Sequence, residues 1–247
     1  MYEQVSHSLL NDILDELDAT GNPNGRHHHE GLAEVGFEIA DPPDLHPDLG
    51  TLELLVVHQR VDPLSRVQVR DLHDRAAAEP LPGFEAVHLM GNHEYALLNF
   101  IDDPESIPGW LGWGGRETLY SYGIKCGLNP SQDELFRLAG ELKMAMPREH
   151  IAFLENAELY HQAGDYYFVH AGVRPGVPLD EQRRADLLWI RHEFLRSQEP
   201  FGKIVVHGHT PEREPVMRSN RIGIDTGAVF TGCLTALRLE SGTRTFL

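Results

Sequence analysis

The sequence predicts a layered α/β or α+β sandwich, and three observations support this. Strand-like and helix-like segments alternate over residues 81–247, and the chain closes with a run of strands. Several of these strands end directly in polar side chains. The length of 247 residues and the hydrophobic content of 41% suit a globular protein. We therefore predict one domain over residues 1–247, with its functional residues on loops beyond the strand ends.

The first third of the chain differs in composition from the rest. Apolar residues recur at helical spacing over residues 5–18 and predict an amphipathic helix. Residues 19–50 are rich in Gly, Pro, Asn, His and Asp and indicate an unusually long loop. Residues 52–57 predict a buried strand, and residues 67–78 a short helix. The composition changes abruptly near residue 80, so we treat residues 1–80 as divergent or disrupted.

The remaining two thirds follow a regular pattern. Ser131 and Pro147 are typical start signals for helices over residues 131–144 and 147–156. A third helix is predicted over residues 181–195. The predicted strands cover residues 84–90, 166–170, 203–207, 222–225 and 234–239.

Charge and composition restrict the partners. The chain has 38 acidic residues against 21 Lys and Arg, a net charge of −17, which would repel a nucleic-acid backbone. No apolar run approaches the about 18–20 residues that span a bilayer, and no basic-then-apolar leader opens the chain. We therefore expect a cytoplasmic protein that binds neither nucleic acid nor membrane. Its cysteines, Cys126 and Cys233, are interpreted as small buried thiols.

Three apolar strands each end in groups that can bind a metal. They are HLM-GNHE (residues 88–94), YYFVH-AG (residues 166–172) and KIVVH-GHT (residues 203–210). Asn carbonyl oxygens and imidazole nitrogens are neutral ligands for Zn²⁺, Mn²⁺ or Fe, and glycine beside them allows a sharp backbone turn. A single histidine of this kind more often caps a strand, but three such strand ends together indicate a metal site.

These segments resemble a known family. GNHE, VHAG and VHGHTP, followed in order by IGIDTGA, resemble the calcineurin-like metallophosphoesterases, and most closely the bacterial serine/threonine protein phosphatases. The resemblance covers about residues 81–247. It implies a four-layer α-β-β-α sandwich, with an abnormal or incomplete N-terminal part here, and hydrolysis of phosphate esters by a metal-held hydroxide.

The resemblance also implies roles for individual residues. Asn92, His170 and His209 match the ligands of one of the family's two metals. His93 matches the histidine that protonates the departing alcohol. Arg191 matches an arginine that binds the phosphoryl oxygens, and Arg174 is a weaker candidate for this role; either could instead form a surface salt bridge or lie in a loop. The expected cofactor is a pair of divalent ions, Mn first with Fe or Zn as alternatives.

The chain departs from the family pattern before residue 80. The motifs Gly-Asp-x-His-Gly and Gly-Asp-x-x-Asp-Arg-Gly are missing. In VVHQRVDPLSR (residues 56–66), Gln59 stands where the metal-bridging aspartate is expected, and Asp62 matches the aspartate that orients the histidine acid. The three matched ligands carry no charge, so we expect a carboxylate to complete the site. Asp62 is the first choice, followed by the other acids of this segment, Asp71, Asp74 and Asp44.

The sequence supports one leading function and leaves others open. The leading interpretation is a metal-dependent phosphoesterase for phosphomonoesters, with phosphoserine or phosphothreonine in proteins as substrate. Its alternatives are a catalytically impaired pseudo-phosphatase that binds phosphorylated partners, and a dinucleoside polyphosphate hydrolase. The missing motifs fit a disrupted sequence, a diverged ligand set, or a non-catalytic relative. A mononuclear hydrolase, with one metal and weak activity, is a further possibility. The physiological substrate and oligomeric state are left open.

Overall fold

The computed structural model describes residues 54–57, 86–107, 109–240 and 242–247, and of residues 54–57 only the backbone. The predicted helices over residues 5–18 and 67–78 lie outside these residues. The helices are α1 (Asn92–Asp102), α2 (Gly115–Ser121), α3 (Gln132–Ala145), α4 (Arg148–Glu155), α5 (Arg184–Trp189), α6 (His192–Leu195) and α7 (Ala228–Thr231), with a 3₁₀ turn at Trp110–Trp113. The strands are β1 (Leu54–Val57), β2 (Tyr160–Ala163), β3 (Tyr166–Val169), β4 (Ile204–His207), β5 (Val216–Met217), β6 (Arg221–Gly223), β7 (Ala236–Glu240) and β8 (Thr243–Phe246).

The strands form two sheets. One has the order β1-β7-β8 and is antiparallel. The other has the order β2-β3-β4-β6-β5, with β3, β4 and β6 parallel and antiparallel strands at both edges. The carboxyl ends of parallel strands lie at the same edge of a sheet, so the residues after β3 and β4 are neighbours.

Alternation along β3 and β4 shows how the layers stack. Phe168 and Val206 of the five-stranded sheet pack with Leu237 of the three-stranded sheet. Tyr167 and Val205 point to the opposite face and pack with residues of α5 and α6, including Leu187 and Phe194. This two-residue period is the pleat of a strand buried on both faces. The described residues therefore form a helix–sheet–sheet arrangement, which confirms the predicted α/β fold.

Helices α1 to α4 form a further apolar cluster around Phe100, Leu138, Leu142 and Leu154. The predicted α-β-β-α sandwich has a fourth layer, of helices on the outer face of the three-stranded sheet. Among the described residues, no helix is shown to pack on that face. The single domain over residues 1–247 includes ranges that are not described, so it stays a prediction.

Local sequence signals located several helix ends correctly. Ser131 is the N-cap of α3, and its hydroxyl accepts from the Glu134 amide while the Glu134 carboxylate accepts from the Ser131 amide. These hydrogen bonds from Ser131 lower the pKa of Glu134. Pro147 directly precedes α4, as its fixed φ predicts.

Other sequence predictions need correction. In residues 86–90, the expected strand is reduced to one parallel bridge, Leu89 to Glu158, and the chain enters α1 at Asn92, three residues after this bridge. The predicted helix over residues 181–195 begins only at Arg184, after an extended Arg183, and it is two helices, because the backbone is extended at Ile190 and leaves helical geometry at Arg191. Strands β2, β5 and β8 were not predicted.

The two cysteines also differ from each other. Cys126 is buried as expected, whereas Cys233 is exposed. Cys233 lies in the connection between α7 and β7, where its neighbours Gly232 and Thr231 are also exposed. The interpretation of Cys233 as a buried thiol was therefore wrong.

Within the part of the chain that the structure describes, each helix is too short or too polar to cross a membrane.

Candidate metal centre

Three of the residues predicted to bind metal lie together. The Oδ1 atom of Asn92 is 2.8 Å from Nε2 of His170, and this nitrogen is 3.1 Å from Nδ1 of His209. Asn92 and His209 are buried, with 5% and 6% of their surface exposed, and His170 is half-buried. The structure thus brings together one amide oxygen and two imidazole nitrogens from three separate parts of the chain.

The parallel sheet explains this convergence. His170 directly follows β3, and His209 follows the adjacent parallel strand β4 by two residues. The Gly208 amide donates to the His170 carbonyl oxygen at 2.9 Å, which ties the two strand ends together. Asn92 is the first residue of α1 and enters the same space from a third segment.

His209 has an unusual backbone conformation. Its φ is 64°, and among the described residues it is the one non-glycine residue with positive φ. The Arg191 side chain supports this turn, because its Nη1 donates to the His209 carbonyl oxygen and to Thr210 Oγ1, both at 3.1 Å. Strained backbone of this kind persists when its surroundings hold it in place, and it occurs at functional sites.

A buried arginine orients the residue before this turn. Arg221 Nη1 lies 3.2 Å from His207 Nε2, and its Nη2 donates to the Leu195 carbonyl oxygen at 3.3 Å. Because a guanidinium can only donate, Nε2 accepts and Nδ1 carries the ring hydrogen. That hydrogen is donated to the Gly208 carbonyl oxygen at 3.1 Å. Sequence reasoning noted His207 at the strand end and missed Arg221, whose partners are distant in the sequence.

Gly91 creates the space around the His170 ring. A Cβ atom at Gly91 would lie 2.3 Å from Glu94 Oε2 and 3.1 Å from His170 Nδ1. The absence of a side chain at Gly91 thus allows the Glu94 carboxylate and the imidazole to approach the same point. The Glu94 carboxylate thus lies on the Nδ1 side of the His170 ring, whereas Nε2 of the same ring faces Asn92 and His209.

The donor set fits a divalent ion of the Zn²⁺, Mn²⁺ or Fe²⁺ type. Its three members are neutral and add no negative charge. Among the described residues there is no group of three His, Cys, Asp or Glu side chains placed to hold a metal, since one of the three donors here is an amide. Asp62 and the other acids considered for this role, Asp71, Asp74 and Asp44, lie outside the described residues.

The remaining predicted site residues have distinct surroundings. His93 is half-buried in the first turn of α1, next to Asn92. Arg174 donates from Nε to Asp186 Oδ1 at 3.0 Å and from Nη1 to Glu193 Oε2 at 2.6 Å. These carboxylates, Asp186 above all, raise the pKa of Arg174 above its ordinary value. Arg174 thus joins α5 to α6, and its role in phosphate binding stays a prediction.

Two tryptophans extend from this centre toward the surface. The Trp189 ring contacts the His209 ring edge-to-face at a centroid distance of 6.2 Å. Trp113 contacts Trp189 in the same manner at 5.6 Å, and Trp113 is 43% exposed. Sequence reasoning assigned neither residue to the site. The sequence signal for Trp189 is its position two residues before Arg191.

Comparison with known proteins identifies similar phosphohydrolases, although no family model matches the chain. The chain is similar to the asymmetrical bis(5'-nucleosyl)-tetraphosphatase PrpE of Anoxybacillus flavithermus, with 26% identity over 170 residues, 62% of this chain and 63% of the relative. It is 30% identical over 131 residues to the protein of the same name from Halalkalibacterium halodurans, which covers 47% of this chain and 53% of the relative. The chain therefore spans less than two thirds of each relative.

One solved structure is also similar. It is described as a "putative diadenosine tetraphosphatase" and has 20% sequence identity and a TM-score of 0.43, over 66% of this chain and 68% of that chain. The relatives from A. flavithermus and H. halodurans belong to the calcineurin-like metallophosphoesterase superfamily, which agrees with the resemblance noted in the sequence at that level. Their names indicate a dinucleoside tetraphosphatase type rather than the expected protein phosphatase type.

Proposed function

We propose that this chain is a divalent-metal phosphohydrolase that cleaves dinucleoside polyphosphates. The observation that carries the proposal is the convergence of Asn92, His170 and His209, with contacts of 2.8 and 3.1 Å. The names of the relatives support the substrate class, and they favour it over phosphoserine or phosphothreonine in proteins.

In this proposal, Asn92, His170 and His209 hold a divalent ion, with Mn as first choice and Fe or Zn as alternatives. A bound ion of this kind lowers the pKa of a water molecule and neutralises charge on phosphoryl oxygens. The neutral donors leave the charge of the ion uncompensated, so a carboxylate completes the site. Asp62 is the first choice for this carboxylate. It also matches the aspartate that orients the histidine acid, His93.

Two further residues are assigned roles. His93 protonates the leaving phosphate or alcohol oxygen, since imidazole is the side chain most often used as a general acid in enzymes. Arg191 binds phosphoryl oxygens with its planar group of donors. Its contact with the His209 carbonyl oxygen supports this assignment, because it places the guanidinium next to the proposed metal ligands.

The test measures metal binding and hydrolysis in the same preparation. The purified 247-residue chain is loaded with Mn²⁺, and its metal content is measured by elemental analysis. Hydrolysis is followed with diadenosine tetraphosphate and with a phosphoserine peptide. We expect hydrolysis of diadenosine tetraphosphate with one or two ions per chain. Substitution His93→Ala should lower kcat by about 10²–10⁴-fold and leave the metal content unchanged. Substitution His170→Ala should lower the metal content as well.

His161→Ala is the matched control. His161 is a partly exposed histidine of the edge strand β2, and it forms its ion pair with Glu158. Its replacement should change neither metal content nor rate. A rate of His93→Ala equal to that of the unsubstituted chain would contradict the assigned acid. If the chain binds no metal and hydrolyses neither substrate, the proposed function is contradicted and the non-catalytic alternative is favoured. If it hydrolyses the phosphopeptide in preference to diadenosine tetraphosphate, the protein-phosphatase interpretation is restored.

A further inference from the structure

We infer that Trp113 is the stacking surface for a purine base of the substrate, an assignment that rests on the proposed function. Trp113 is 43% exposed and lies two aromatic contacts from the metal centre. The intermediate ring is Trp189, which contacts both Trp113 and His209. A nucleotide with its phosphate at His209 would extend its base along this line.

Packing of the 3₁₀ turn holds Trp113 in this position. Its first residue, Trp110, is buried and packs on Phe100 at a centroid distance of 4.3 Å. Gly115, just after the turn, has no side chain, and a Cβ there would lie 2.6 Å from the Trp110 ring. Trp110 is thus an anchor, while the last residue of the same turn, Trp113, is directed to the surface beside Trp189.

The glycine before the turn contributes in the same way. Gly109 has a φ of 92°, which is favourable for glycine alone, and a Cβ there would lie 3.2 Å from the Trp113 ring. The Trp113 ring therefore packs against bare backbone on one side and against Trp189 on another. Since these contacts leave two fifths of the residue exposed, ring surface is left for a ligand.

Electrostatics explain why a stacking contact is needed. A dinucleoside polyphosphate is a polyanion, and the chain has a net charge of −17, so long-range repulsion opposes its binding. Of the two arginines predicted to bind phosphate, Arg174 is held between two carboxylates. Base–aromatic stacking does not depend on the net charge of the protein. The base therefore supplies affinity that the surface charge of the protein does not.

The experiment compares Trp113→Ala and Trp113→Phe with the unsubstituted chain. With diadenosine tetraphosphate and Mn²⁺, Trp113→Ala should raise KM about tenfold with kcat retained, because it removes binding that the ground state and the transition state share. Trp113→Phe keeps an aromatic face and should restore most of the affinity. Phe136→Ala is the control, since Phe136 is 51% exposed on α3 and should leave KM unchanged.

A second measurement needs no hydrolysis. Adenosine, which has no phosphate, is titrated into each protein and binding is followed by quenching of tryptophan fluorescence. Quenching in the unsubstituted chain and in Phe136→Ala, together with its loss in Trp113→Ala, would support the base site. The inference is overturned if KM for Trp113→Ala stays within twofold of the unsubstituted value, or if adenosine binds all variants equally. Absence of any hydrolysis would instead overturn the proposed function, and the adenosine titration would still decide the base site.

Discussion

Substitution Gly172→Ala should destabilise the fold strongly. Gly172 follows β3 two residues after His170, and its φ is 149°. A Cβ atom at this position would lie 2.3 Å from Cδ1 of Phe194 and 2.7 Å from two further ring atoms. The Phe194 residue is fully buried, so its ring has no open space into which it can withdraw.

Two costs add in this substitution. The unfavourable backbone conformation contributes about 1–3 kcal/mol. Insertion of a methyl group against a buried ring contributes about 1–3 kcal/mol more. We therefore expect the free energy of unfolding to fall by about 2–6 kcal/mol, a large part of the stability of an ordinary domain.

Urea unfolding followed by circular dichroism measures this difference, and Gly176→Ala is the matched control. Gly176 also has positive φ, 75°, but a Cβ atom there would meet no other atom within 4 Å. Its substitution should cost only the backbone term, about 1–2 kcal/mol. If Gly172→Ala cost no more than Gly176→Ala, the close packing of Phe194 against Gly172 would be refuted.

Two further predictions concern buried polar groups. Burial raises the pKa of Tyr167, whose hydroxyl donates to the Leu179 carbonyl oxygen. The protonated Tyr167 hydroxyl contributes its full stabilisation below about pH 10. This stabilisation is lost as pH rises, because the tyrosine of the unfolded chain then releases its proton while that of the folded chain does not. Unfolding free energies between about pH 8 and 11 should therefore fall less steeply for Tyr167→Phe, and identical slopes would refute this. Asn220 donates to the carbonyl oxygens of Ser197 and Glu199 at 3.0 and 2.9 Å. Asn220→Asp replaces this donor by a carboxylate and should cost about 1–3 kcal/mol at pH 7, with partial recovery near pH 4 in thermal denaturation; unchanged stability at pH 7 would contradict it.

Local structure was predictable where the signal lies in neighbouring residues. The capping residues Ser131 and Pro147 located the starts of α3 and α4 to within one residue. Apolar runs that end on histidine located β3 and β4. These signals depend on hydrogen bonds and burial within a few positions of the chain, so they can be recognised without knowledge of the fold.

The break between α5 and α6 shows where such reasoning fails. Helical spacing of apolar residues continues through residues 181–195, and both Leu187 and Phe194 are buried in the same cluster. The backbone nevertheless leaves the helix at Ile190 and Arg191, and Arg191 contacts the His209 carbonyl oxygen. Periodicity records which side chains are buried, but it contains no information on a contact with a residue 18 positions away.

The sequence by itself determined the chemistry of the centre, because the donor types and the glycines beside them can be identified from the motifs GNHE, VHAG and VHGHT. The resemblance implied that Asn92, His170 and His209 share a metal, but only the tertiary structure decided their contact distances of 2.8 and 3.1 Å, since the residues are separated by 78 and 39 positions and meet through the parallel pairing of β3 with β4. It likewise decided the line from His209 through Trp189 to Trp113. The physical reason is that residue type sets what a side chain can bind, whereas the register and packing of distant segments set where it lies.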